Sequence, residues 1–309
     1  MKNTYSIFLI LFLMPLLICS QNYNGPESIE FNYLTDSYFI ANSNNGQILE
    51  LDNNNELSIF TSNLDSGPHG LEIVNNILYA CSGGQLKGFD LNDGTQILNY
   101  NLNGSFLNGI THKENTLFIT DFSDRKLYKY NIDTQTHEEI VSFNKNPNGT
   151  YWDDINDRLL VVCWGNNAPV YSIDYIAEEY STIINTGLGN LDGITMDECG
   201  NFYISAWSSN AIHKYNNDFS ETEIVVPNMS YPADIFFNQF DDILAIPNSG
   251  NNTISFLELN CNNSNIIEED GNREIEITID LLGRPYSSQS KFKIELYNDG
   301  AIEKKYIIE

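Results

Sequence analysis

Six segments of this chain open in the same way, and that repetition limits the possible folds more than any other feature. The openings are Pro26-Glu27-Ser28-Ile29, Pro68-His69-Gly70-Leu71, Leu107-Asn108-Gly109-Ile110, Pro147-Asn148-Gly149-Thr150, Leu191-Asp192-Gly193-Ile194 and Pro232-Ala233-Asp234-Ile235. Read from Glu27 to His69 and onwards, the second positions are 42, 39, 40, 44 and 41 residues apart. A period of about 40 residues is the length of one four-stranded propeller blade. Each repeat continues with a polar turn, a strand such as Leu117-Phe118-Ile119-Thr120 or Phe202-Tyr203-Ile204-Ser205, and a turn rich in Asn, Ser and Gly. A third strand such as Lys126-Leu127-Tyr128-Lys129-Tyr130 follows. Short strands at even spacing, abundant Tyr and Phe, and the lack of Ala-Leu-Lys stretches all indicate an all-β chain. We expect a six-bladed β-propeller over residues 25–262, whose radial arrangement protects its sheet edges. Six repeats without a seventh disfavour a seven-bladed ring or a sandwich.

The two ends read differently from the repeats. Lys2 precedes an apolar run from Ile7 to Ile18, followed by a polar switch at Cys19-Ser20-Gln21. A dozen apolar residues fall short of the roughly 20 that span a bilayer but suit an export signal over residues 1–20, with the mature chain starting near Gln21. The alternative is cleavage before Cys19 and acylation of that cysteine, against which bulky Ile18 argues. No later segment is long and apolar enough to be transmembrane. Past Cys261 the repeat stops. A polar linker gives way to a small β-unit that ends in Ile294-Glu295-Leu296-Tyr297, the turn Asn298-Asp299-Gly300, and Glu303 to Ile308, a strong hairpin signal. With Ile279-Asp280-Leu281-Leu282-Gly283-Arg284, this hairpin resembles the C-terminal sorting domain of the type IX secretion system. The resemblance implies a linker and small β-sandwich-like sorting domain over 263–309, recognition by that secretion machinery, and a secreted or cell-surface location.

Charge narrows the partners. The chain carries 42 acidic and 15 basic residues, a net charge of −27. That field repels nucleic acid and anionic lipid and attracts cations, although most of the acids are read as solvating the surface. Four cysteines remain after the leader, without C-x-x-C spacing. Cys199 and Cys261 are the one pair placed to form a disulfide in an exported chain; Cys81 and Cys163 read as small buried residues. The sequence has no Gly-x-Ser-x-Gly elbow, phosphate-cradling Gly-rich loop or His-Glu-x-x-His helix. The paired acids Asp153-Asp154 and Asp241-Asp242 fall in turns on the face opposite the repeat openings and read as solvated.

The first strand of each propeller blade lines the central channel, so the second positions of the openings form a ring at its mouth. The ring is Glu27, His69, Asn108, Asn148, Asp192 and Ala233. Carboxylate and amide oxygens in this proportion suit a hard divalent cation. Loops after the second strands bring Asn42, Asp121, Trp164, Trp207 and Asn248 towards the same mouth. Trp164 and Trp207 either stack on a ring-shaped ligand or pack between adjacent blades. His69 is either a channel-facing acid or base, or a satisfied structural histidine. We take His69, Asp121, Trp164 and Trp207 as the expected substrate contacts.

Over residues 25 to 260 the repeats resemble the SMP-30/gluconolactonase/LRE-like propellers. That resemblance implies a divalent cation, with Ca²⁺ the first choice and Mg²⁺, Mn²⁺ or Zn²⁺ as alternatives. Its ligands would be Glu27 of the first blade, Asn148 of the fourth and Asp192 of the fifth, assisted by Asn108 of the third. It further implies hydrolysis of a lactone-like or ester substrate by a monomer, with Asp192 also accepting a proton. The chain departs from the family at Phe106, where the lactonases carry a substrate-holding arginine. The openings, and the turn Asp197-Glu198-Cys199-Gly200-Asn201, are similar to NHL-type propellers as well, many of which bind a protein or carbohydrate partner and catalyse nothing.

Overall fold

In the computed structural model the described residues are 22–259 and three tail strands, Ile275–Ile279, Phe292–Tyr297 and Ile302–Tyr306. The leader over residues 1–20, Cys261, the polar linker and the stretch Asp280 to Arg284 lie outside them. Blade 1 is an antiparallel sheet of Pro26–Asn32, Ser37–Asn42, Gln47–Leu51 and Leu57–Thr61 in chain order. Blades 2 to 5 repeat that order from inner strands Leu71–Val74, Leu107–Lys113, Asn146–Asp153 and Leu191–Met196. Each inner strand lies against the next, and the sixth returns to the first. Among the described residues no helix is long and apolar enough to cross a membrane.

Burial runs radially. Second strands such as Phe39–Ala41 and Phe202–Ala206 are enclosed, whereas outer strands show residues such as Ile97 and Ile224 to solvent. The apolar faces of neighbouring blades meet, as where Tyr79, Cys81 and Leu86 of blade 2 pack on Leu107, Ile110 and Leu117 of blade 3. Cys81 and Cys163 are buried free thiols. Cys199 is disulfide-bonded; the partner expected for it, Cys261, is not among the described residues.

The repeated glycine of the openings has a packing reason. A Cβ on Gly109 would stand 2.3 Å from the Asn148 carbonyl oxygen, and one on Gly149 would stand 2.3 Å from that of Asp192. The inner strands thus approach backbone to backbone. Hydroxyls clamp the approach: Thr120 Oγ1 accepts from the Gly109 N–H at 2.8 Å and donates to the Asn148 carbonyl at 2.7 Å. Ser205 does the same between Gly193 and Ala233.

Blade 6 departs from the four-stranded expectation. Among the described residues its sheet has three strands, Phe236–Asn238, Ile243–Asn248 and Thr253–Glu258. Among the described residues no strand is exchanged to close the ring. Closure rests on Ile29, Ile40 and Leu49 packing with Ala245, and on hydrogen bonds from Asp234 N–H to the Glu27 carbonyl and from Gly25 N–H to Asn252 Oδ1. The described tail strands form one antiparallel sheet, with Phe292–Tyr297 pairing Ile302–Tyr306 as the hairpin signal requires.

The reading of the turn acids as solvated is corrected at Asp153. It is fully buried, accepting from Arg158 Nε and Asn156 Nδ2, both at 2.8 Å. Asp154 accepts the Trp152 indole N–H at 2.7 Å, and Asp241 is held by Asn238. A turn that must pack against the sheet end takes its own hydrogen-bond partners with it.

The close approach of the inner strands yields a first prediction. Gly149→Ala should lower unfolding stability by about 1–3 kcal/mol or more through overpacking, read as the midpoint of urea denaturation. An unchanged midpoint would contradict the packing account.

Candidate functional site

The ring forms where the inner strands begin. Asn108, Asn148 and Asp192 are 6%, 2% and 2% exposed, Ala233 is enclosed, and Glu27 and His69 keep partial access to solvent. Asn148 is fixed by donation from Nδ2 to the Leu191 carbonyl at 3.1 Å. Among the described residues just four buried side-chain polar atoms lack a hydrogen-bond partner: His69 Nδ1, Asn148 Oδ1, Asp192 Oδ1 and Trp207 Nε1. All four belong to residues expected at this mouth. Buried polar groups are nearly always paired, so four orphans together mark a place built to receive something.

The electrostatics point the same way. Burial, then repulsion from Glu27 and Asp234, holds the Asp192 carboxyl well above the ordinary carboxylate range. Trp207 and Asn148 approach it and offset part of that rise, yet neither completes a hydrogen bond to Oδ1. Glu27 is pushed up to about 7 by burial, with a hydrogen bond from Ser249 pulling against the shift. His69 is pulled down to about 4 by burial, which leaves a neutral imidazole with a bare Nδ1. It is therefore not a satisfied structural histidine. A buried carboxylate pushed up further by a neighbouring carboxylate, as Asp192 is by Glu27, is relieved by a cation. The set of two carboxylates and two amide oxygens is a hard donor set. Among the described residues no three His, Cys, Asp or Glu side chains converge as a metal group, so a cation here depends on Asn148 and Asn108 as well.

Aromatic side chains border the ring in an unbroken arc. His69 meets Phe106 edge-on at 4.5 Å, Phe106 meets Phe122 at 5.6 Å, and Phe122 meets Trp164 at 6.0 Å. Trp164 meets Trp207 edge-on at 5.0 Å, and Trp207 stacks on Tyr231 at 4.7 Å. Both Trp residues stay partly exposed, so they pack across blades 4 and 5 while keeping a free edge at the mouth. Sequence reasoning found the two Trp residues and His69 but missed Phe106, Phe122 and Tyr231 as members. The strand register shows the equivalence. Leu107 pairs with Asp121, Pro147 with Cys163 and Leu191 with Ala206, so Phe122, Trp164 and Trp207 follow at one blade position.

That register corrects Asp121 as a substrate contact. It stands one residue before the arc, is fully buried, and accepts backbone N–H groups from Ser105, Phe106, Ser123 and Asp124 at 2.7 to 3.2 Å. Its work is to hold the segment that presents Phe106. Asn42 and Asn248 stand at the equivalent position and likewise accept the N–H of Asn24 and of Ser230.

These strands define a six-bladed β-propeller, and solved structures agree. The chain is similar to one in the crystal structure of a nidogen/laminin complex, with TM-score 0.61, 16% identity, and coverage of 70% of this chain and 87% of that one. It is also similar to a structural-genomics protein of unknown function from Bacteroides thetaiotaomicron, with TM-score 0.65, 15% identity, and coverage of 77% and 70%. At such identities the likeness shows the fold alone. No family model and no curated protein matches the chain.

The raised carboxyls predict a pH dependence. Glu27 and Asp234, both pushed up to about 7 chiefly by burial, keep protons in the folded chain that the unfolded chain releases at lower pH. Their contribution is therefore complete below the ordinary carboxylate range and is lost as pH rises towards about 7. In chelator, the melting temperature should fall between about pH 5 and pH 8, and Glu27→Gln should flatten part of that fall. A melting temperature that rises across this window would overturn the assignment.

Proposed function

We propose that this chain is an exported propeller that holds a divalent cation at the channel mouth and seats a ring-shaped, lactone-like or ester ligand on the aromatic arc beside it. The observation that carries the reading is the pair of buried, unpartnered oxygens Asn148 Oδ1 and Asp192 Oδ1. Glu27 and Asn108 would complete the oxygen set. A cation there would supply polarisation of an ester carbonyl. The chain's own groups divide the remaining work: the Trp207 N–H would donate to a ligand oxygen, Asp192 would accept a proton, and the unpartnered Nδ1 of neutral His69 would be a second acceptor. Phe106 and Trp164 present ring edges and faces to a ligand body. Export and recognition of the tail by the type IX machinery rest on the leader and hairpin patterns, and the disulfide at Cys199 accords with an oxidising compartment.

A second reading keeps the same site without catalysis, as a module binding a protein or carbohydrate partner. What favours it is Phe106, a wholly aromatic neighbour of His69 where the lactonase pattern would place a charged group to hold substrate.

Calorimetric titration of the full chain with Ca²⁺ separates the readings from their failure. We expect one-to-one binding, weakened about a hundredfold or more by Asp192→Asn and by Asn148→Ala, the range expected when a buried charged or polar partner is lost. Hydrolysis of a lactone or aryl ester, abolished by chelator and by Asp192→Asn, would establish the enzyme. Cation binding without hydrolysis across the panel would leave the binding module. No binding of Ca²⁺, Mg²⁺, Mn²⁺ or Zn²⁺ would sink the metal site itself.

A further inference from the structure

The channel has a second mouth, and a cavity lies there. Where the inner strands end, on the face opposite the ring, they enclose about 710 Å³, within the size range of pockets that take small organic molecules. All six blades contribute. Glu30 and Tyr33 come from blade 1, Glu72 from blade 2, His112 and Lys113 from blade 3, Tyr151 and Trp152 from blade 4, Thr195 from blade 5 and Asp234 from blade 6. None of these residues belongs to the ring or to the aromatic arc.

The lining is unbalanced in charge. Glu30 is 8% exposed, and its carboxyl is held well above the ordinary range by burial and then by repulsion from Glu72 and Asp234. Against these three carboxylates stands one imidazole, His112, whose Nδ1 bonds Glu72. Lys113 is committed elsewhere: its ammonium pairs with Asp157 and lies 4.2 Å from the centre of the Trp152 ring. The cavity also holds polar groups with nothing to bond. Thr195 is 5% exposed, and neither its hydroxyl nor the phenols of Tyr33 and Tyr151 has a hydrogen-bond partner among the described residues. Between the polar groups the wall is apolar, formed by residues such as Ile29, Ile110 and Ile194.

These features select one kind of ligand. A bare metal ion would leave the apolar walls and most of the 710 Å³ unfilled. An anion is excluded by the carboxylates. A positive charge on an organic body satisfies both the carboxylates and the apolar walls, and aromatic faces add attraction for an ammonium. We propose that this second mouth binds a small organic ammonium compound, its charged nitrogen received by Glu30, Glu72 and Asp234 and its body by Tyr33, Tyr151 and the isoleucine wall. The hydroxyls of Thr195, Tyr33 and Tyr151 remain open to further polar groups of the ligand.

The test uses the full chain and a matched pair of probes, hexane-1,6-diamine and the uncharged hexane-1,6-diol, titrated calorimetrically at neutral pH and low salt. The diamine should bind one-to-one and the diol at least about thirtyfold more weakly. Glu30→Gln and Glu72→Gln should each weaken the diamine by about thirtyfold or more, whereas Glu179→Gln, an exposed carboxylate on the outer strand of blade 4, should leave it unchanged. Circular dichroism confirms that each variant is folded; the diamine-to-diol comparison needs no variant and decides the matter if a carboxamide variant unfolds. Equal binding of diamine and diol, no saturable diamine binding, or an equal loss in Glu179→Gln would each overturn the proposal.

Discussion

No side chain fits at Gly109 or Gly149, and the rest of the molecule follows from that approach. The carbonyl of the neighbouring blade's ring residue passes 2.3 Å from where a Cβ would stand, so the inner strands are drawn into a narrow channel. The residue before each glycine is carried with its backbone onto the ring, where Asn108, Asn148 and Asp192 are buried. Thr120 ties blade 3 to blade 4, and Ser205 ties blade 5 to blade 6, each with a hydroxyl that bonds both backbones. Polar residues at the ring are thereby buried by the geometry of the barrel-like centre, not by local sequence context.

Burial without partners has an energetic consequence. A buried polar atom left unpaired costs roughly 1–3 kcal/mol, and four of them gather at one mouth. Natural structures keep such a cost where a ligand or ordered solvent removes it. The same reasoning distinguishes Asp121, whose carboxylate takes four backbone N–H groups and so is structural, from Asp192, whose Oδ1 takes none. The two ends of the channel differ in kind. The ring mouth combines amide and carboxylate oxygens with aromatic edges, and the opposite mouth is a chamber of about 710 Å³ lined by carboxylates and apolar side chains.

Much of this was legible in the sequence, for identifiable reasons. A motif that recurs at every inner strand reports the blade count and the ring together, so Glu27, Asn108, Asn148 and Asp192 could be placed before any coordinates. Register was harder. Side chains of a strand alternate between faces, and a shift of one residue separates buried Asp121 from half-exposed Phe122. The reading of the loops placed Asp121 with the two Trp residues and overlooked the true equivalent. The aromatic arc escaped because it joins residues from before the inner strand, such as Phe106 and Tyr231, to residues after the second. The opposite cavity escaped because Glu30, Glu72 and Asp234 stand at different offsets from the repeat openings and share no motif. The burial of Asp153 depended on Arg158, five positions away across a turn, a pairing that no periodicity signals.

The central claim is that the orphaned oxygens at the ring coordinate a cation. It is tested most directly by anomalous diffraction from a crystal of the full chain soaked in Mn²⁺. The account predicts one peak on the channel axis within about 2.0–2.6 Å of both Asn148 Oδ1 and Asp192 Oδ1. Density there that refines as water alone, with no anomalous signal at saturating Mn²⁺, would contradict it.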